Sequence, residues 1–119
     1  MAYIDGFILP LREDRLAEYR PMAETFERKA KALGAIASVE AIGDGLEHGH
    51  TTDFYRSVQA EDGENVVFTF IDWPDKETRD AGWEKLMADP EMQPGAQPMP
   101  FDGKRMFWGG FKPFVGGES

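Results

Sequence analysis

The chain has 119 residues, 41% hydrophobic and 13% aromatic, which suits one globular domain (residues 1–119) with its own core and excludes a disordered tail. Thirteen Lys and Arg against 22 Asp and Glu leave a formal charge of −9, which repels polyanions, and the absence of cysteine excludes disulfides, thiolate metal sites and Cys nucleophiles together. No run approaches the ~20 apolar residues of a membrane helix, and the opening MAYIDGFILP lacks a secretory signal's basic region and cleavage site, so a cytoplasmic protein with no membrane or nucleic-acid partner is expected.

Tyr3–Pro10 reads as a strand: Tyr3, Asp5, Phe7 and Leu9 alternate with Ile4, Gly6 and Ile8, and Pro10 ends the run. Leu16, Tyr19, Ala23, Phe26, Ala30 and Leu33 then recur at spacings of three and four, the stripe of an amphipathic helix. Glu13 and Asp14 suit its positive N-terminal end, Arg28, Lys29 and Lys31 its C-terminal end, and Gly34 a left-handed cap. Pro21 removes the bond to the Ala17 carbonyl, so a kink or restart is expected there. Ala35–Ile42 predicts a second strand closed by Gly43-Asp44-Gly45. Phe54–Gln59 and Glu64–Trp73 flank Asp62-Gly63, which suits a hairpin between a short extra strand and a long one. Val66–Ile71 is so nearly apolar that both of its faces should be covered. Asp75 is a natural N-cap for a helix to about Ala88, with Trp83, Leu86, Met87 and then Pro90 on its inner side. Asp89–Pro100 holds four prolines and a glycine and reads as loop or a short helical turn before a last strand, Arg105–Val115.

Strand, helix, strand, hairpin strand, helix, strand is the element order of an α+β, ferredoxin-like βαββαβ plait, with two helices on one face of an antiparallel sheet. Such a sheet leaves an apolar face uncovered within one subunit, and a second copy packed face to face makes the chain an obligate homodimer.

The segments YIDGFILP (Tyr3–Pro10), VVFTFI (Val66–Ile71), RDAGWEKLMADP (Arg79–Pro90) and MPFDGKRMFWGGF (Met99–Phe111) together resemble the YbaA-like family of unknown function, in order and spacing, over the whole chain. The resemblance implies a dimeric α/β-barrel, in which ferredoxin-like subunits join sheet to sheet, a fold shared with cofactor-free monooxygenases and muconolactone isomerases. It implies no set of catalytic residues.

Among the chemical candidates, Asp5 lies within the apolar first strand and Arg105 opens the last, which runs beside it in this topology; a buried Asp5–Arg105 pair would be a structural clamp or a polar anchor for a ligand carboxylate or enolate. Glu40, within the second strand, and Asp72, ending the third, are general bases if burial raises their pKa and ordinary edge residues otherwise. Asp102, in the turn Phe101-Asp102-Gly103, reads as bonding its own backbone, and Trp73, Trp83 and Trp108 as core. Gly109-Gly110 marks a bulge or a close approach to the backbone. His48 and His50, near Glu47 and Asp53, lack a third ligand at a diagnostic spacing and read as a solvated loop; no metal and no cofactor are expected. The strand Asn65–Trp73 lacks the basic residues that accompany aromatics on RNA-binding sheets. Two function classes follow. One is an enzyme or binder with a pocket lined by aromatics and Met and with Asp5, Arg105 and Glu40 as polar groups, for which the resemblance in fold alone implies a small aromatic or dicarbonyl metabolite and cofactor-free oxygenation or isomerisation. The other is a non-catalytic dimeric module.

Overall fold

A computed structural model describes residues 2–93 and 99–117. Four strands, β1 (Tyr3–Arg12), β2 (Ala37–Ile42), β3 (Glu64–Trp73) and β4 (Phe107–Phe111), form one open sheet in the order β2-β3-β1-β4, with every neighbouring pair antiparallel. The central pair runs from Tyr3 opposite Trp73 to Arg12 opposite Glu64. Helices α1 (Leu16–Ala32) and α3 (Lys76–Ala88) both pack on one face; α2 (Phe54–Ser57) is a single turn in the long β2–β3 connection. The architecture is therefore α+β.

The two-residue period of the strands sorts the side chains. Leu9, Leu11 and Val67 meet Tyr19 and Ala23 of α1, and Ile71 and Trp73 meet Ala30, with Tyr3, Phe7, Phe26 and Trp83 packed around them. The end of α1 is closed by two overlapping bonds, Gly34 N–H to the Lys31 carbonyl and Ala35 N–H to the Ala30 carbonyl. Gly34 sits at φ +112°, and a Cβ there would also lie 2.6 Å from the Thr78 methyl, so two requirements converge on glycine.

Several sequence expectations are corrected. Phe54–Gln59 does not form a hairpin strand. Asp53 caps α2 by accepting from the Arg56 N–H at 2.7 Å, so Tyr55 and Val58 reach the sheet from a helical turn, and β3 pairs with β2 instead. The first strand continues through Pro10 to Arg12: β4 reaches only as far as Ile8, so Pro10 lies where β1 has one neighbour and the sheet tolerates a missing N–H. α1 runs unbroken through Pro21, where Ala17 and Pro21 are both exposed and solvent replaces the lost partner. Asp75 caps α3, accepting from the Thr78 N–H at 2.6 Å, and the helix ends at Ala88 as expected. Leu86 is buried, but Met87 is 72% exposed and Pro90 also faces solvent. Pro90–Met92 forms the short helical turn expected in the proline-rich stretch; residues 94–98 of that stretch lie outside the described residues. β4 is shorter than expected because a capped turn, Gly103–Arg105, occupies its predicted start.

The opposite face is covered only in part. The β2–β3 connection lays Leu46, Tyr55, Val58 and Ala60 over Ile8 and Val66. Beyond that cover Val39, Phe68, Phe107 and Phe111 stand exposed, so the apolar third strand is sealed on its helix side and open at Phe68.

Candidate functional site

Glu40 sits on β2 in the same cross-sheet row as Thr69, Phe7 and Trp108, on the face the helices cover. The Tyr19 hydroxyl, descending from α1, donates to Glu40 Oε1 at 2.7 Å, and the Thr69 hydroxyl donates to the same oxygen at 2.7 Å. Oε2 makes no hydrogen bond among the described residues. Burial pushes the Glu40 carboxyl above the ordinary carboxylate range, against the pull of the Thr69 and Tyr19 hydroxyls and with Glu27 adding to the rise. The same burial, with the neighbouring Glu40, drives the Tyr19 phenol upward, which keeps it a donor. Edge exposure is thus not the condition of Glu40.

Above this carboxyl lies a cavity of about 400 Å³ between sheet and helices. Phe7, Phe26 and Trp83 form one wall, with ring centroids 5.6 to 6.3 Å apart, and Tyr19 and Phe101 meet edge to face at 5.7 Å on another. Met22, Met92, Met99 and Met106 complete an apolar, deformable lining. A second recess of about 380 Å³ lies on the other side of Glu40, between α1 and β2, and includes Arg20, Glu24, Glu27 and Ser38. The Ser38 hydroxyl is buried there without a hydrogen-bond partner among the described residues.

Asp5 occupies a different and saturated site. Its side chain is fully buried; Oδ2 accepts from Trp73 Nε1 at 2.9 Å and Trp83 Nε1 at 2.8 Å, and Arg79 closes on both oxygens, with Nη2 2.7 Å from Oδ1. Arg79 also lies over the Tyr3 ring at 5.1 Å, and the bonds to Asp5 raise its already high pKa. Arg79 and Trp83 are four residues apart on α3, the spacing that puts both on one helix face, and this was the unused signal for them in the sequence. A carboxylate so fully occupied holds α3 to the sheet. It has no capacity left for a ligand.

The expected Asp5–Arg105 pair does not form. Arg105 belongs to the turn before β4 and makes a double bond-pair with Glu64, at 2.7 and 2.8 Å, while also donating to Asp102 and to the Gln59 carbonyl. The Glu64 carboxyl is held below its ordinary range by this guanidinium. Asp102 accepts from the Lys104 N–H at 3.0 Å, the backbone role its turn predicted. Trp73 is core and Trp83 lines the cavity, but Trp108 is 61% exposed and stacks on Phe7 at 6.4 Å, so the core reading fails for it. Gly110 is where the backbone is approached closely: a Cβ would lie 2.5 Å from the Tyr3 hydroxyl and 2.9 Å from Arg79 Nη2. His48 stacks on Tyr55 at 4.7 Å, and its Nδ1 is 3.8 Å from Asp53, whose carboxylate already binds the Gly49 and Arg56 N–H groups. Of the five residues singled out, the structure therefore aligns Glu40 and Trp108 in one row and separates them from Asp5 and from the Arg105–Asp102 turn.

Two similar proteins are the uncharacterized protein YbaA of Escherichia coli (strain K12) and that of Shigella flexneri, each 43% identical over 115 residues, covering 97% of this chain and 98% of the relative. Residues 2–103, from β1 into the turn before β4, match the family described as protein of unknown function, DUF1428. The chain belongs to that YbaA-like family of unknown function.

Proposed function

We propose that this protein binds a small aromatic metabolite in the cavity above Glu40 and acts on it, without a cofactor, by moving a proton to or from the Glu40 carboxyl. One observation carries this reading: a carboxyl with one oxygen fixed by two hydroxyl donors and the other unbonded, at the floor of an apolar chamber large enough for a ring compound. Burial moves such a group toward the neutral pH at which a general base works best. The working unit in this reading is a homodimer of ferredoxin-like subunits in a dimeric α/β-barrel, supported by the strand order and by Val39, Phe68, Phe107 and Phe111, exposed together on the sheet face away from the helices.

Thermal-shift screening of aromatic and dicarbonyl metabolites tests it. A ligand should raise the melting temperature of the intact protein, and Ala23→Phe, which fills the cavity from α1, should remove the rise. If no compound stabilises the protein, the chain is a non-catalytic dimeric module.

A further inference from the structure

We infer that the cavity is selective for an organic cation, an ammonium head on an aromatic or aliphatic body whose N–H groups are donated to Glu40. This rests on the cavity being a ligand site and adds the charge of what enters it.

The lining is short of donors and of positive charge. Among the described residues no Lys, Arg or His lines it, and its two ionisable carboxyls are Glu40 at the floor and Glu91 at the rim, the latter already paired with Lys29 at 3.2 Å, so that Glu40 is the unpaired one. Its neutral donors are already spent: the Tyr19 and Thr69 hydroxyls on Glu40, the Trp83 indole N–H on Asp5 at 2.8 Å, and the Gln93 amide on the Met87 and Asp89 carbonyls. Thr25 alone brings a hydroxyl not so committed. Apart from that hydroxyl, the free groups among the described side chains of the lining are acceptors, with Oε2 of Glu40 foremost. A carboxylate or enolate entering here would meet the like charge of Glu40 with no uncommitted side-chain N–H among the described residues to receive it, at a cost of several kcal/mol where water is scarce.

Glu40 has no cationic partner among the described residues, and a partly buried carboxylate without one is an incomplete ion pair. A ligand ammonium supplies the missing charge. The faces of Phe7, Phe26 and Trp83 and the thioethers around them receive the rest of the molecule, and aromatic faces attract a cation as well as a hydrocarbon. The indole of Trp83 is held with its N–H turned to Asp5, so that cluster makes the cavity apolar on that side as well as fastening α3.

Isothermal titration of the full chain at neutral pH with 2-phenylethylammonium, 2-phenylethanol and 3-phenylpropanoate tests the inference, because the three share a phenylalkyl body and differ in head charge. The ammonium should bind at least about tenfold more tightly than the carboxylate, with the alcohol between them. Glu40→Gln, and Glu40→Met as a second variant, should bring the ammonium and carboxylate to within about threefold of each other. Equal or tighter carboxylate binding, or a preference that survives both variants, overturns the inference. If the alcohol binds and Ala23→Phe abolishes that binding while the charged compounds do not differ, the cavity reading stands and the cation selectivity falls. If none of the three binds at millimolar concentration, both fall.

Discussion

The Asp5 carboxylate on β1 and the Arg79 guanidinium on α3 meet in a bidentate pair, 2.7 Å at the shortest, where the third helix docks on the sheet, and two indole N–H groups complete the carboxylate's shell. Because Asp5 is fully buried, removing one partner strands the other's charge or its donors. Arg79→Met or Asp5→Asn should each cost about 3–5 kcal/mol of folding stability, and the double change Asp5→Leu with Arg79→Met should recover part of that loss. Urea unfolding of the four proteins checks it; single variants as stable as the parent would refute the pairing.

Glu40 predicts a pH dependence of definite sign. Its carboxyl pKa is raised above the ordinary carboxylate range in the folded state by burial, so between the ordinary pKa and the raised one the folded chain binds more protons than the unfolded chain. The contribution of Glu40 to stability is therefore greatest in acid and declines as pH rises through that window. Relative to Glu40→Gln, which does not titrate, the parent should lose melting temperature as pH is raised from the ordinary carboxylate pKa toward neutrality. A difference between the two that is flat with pH would exclude a raised pKa.

Gly82 should resist the substitution that helix propensity favours. It lies inside α3, where alanine would gain about 1 kcal/mol, yet a Cβ would fall 2.8 and 3.0 Å from the buried Trp73 ring. Trp73 is fully buried and tied to Asp5, so the ring has little room to yield. Gly82→Ala should lower stability by about 1–3 kcal/mol, measured by chemical denaturation, instead of raising it.

The exposed aromatic patch on the outer sheet face predicts self-association. Phe68 on β3 and Phe107 and Phe111 on β4, the two strands that flank β1, are 43, 45 and 63% exposed, and a stable interface there would bury about 1,200–2,000 Å². Sedimentation should find a dimer at micromolar concentration for the parent and a folded monomer for Phe68→Glu. A parent that sediments as a monomer would sink the idea.

Local signals in the chain determined most of the architecture. The period-two run from Tyr3, the stripe from Leu16 to Leu33 with its Gly34 cap, the Asp75 cap of α3 and the backbone role of Asp102 were all legible, because each depends on neighbours within a turn or two. The segment Phe54–Gln59 misled, since six residues beside an Asp62-Gly63 turn signal are too few for a period to separate a hairpin strand from a capped helical turn, and the choice was made by the fit of Tyr55 and Val58 against Ile8 and Val66. The partners of charge were decided by tertiary structure alone. Asp5 and Arg105 lie on or next to adjacent strands, but which cation meets a buried carboxylate depends on where a helix docks, and α3 delivers Arg79 to Asp5 while the turn before β4 delivers Arg105 to Glu64. The standing of Glu40 was hidden for the same reason: one residue on an edge strand is a solvated charge or the floor of a cavity according to whether Tyr19, 21 residues earlier, and Thr69, 29 residues later, fold over it, and no period in the sequence records that distance.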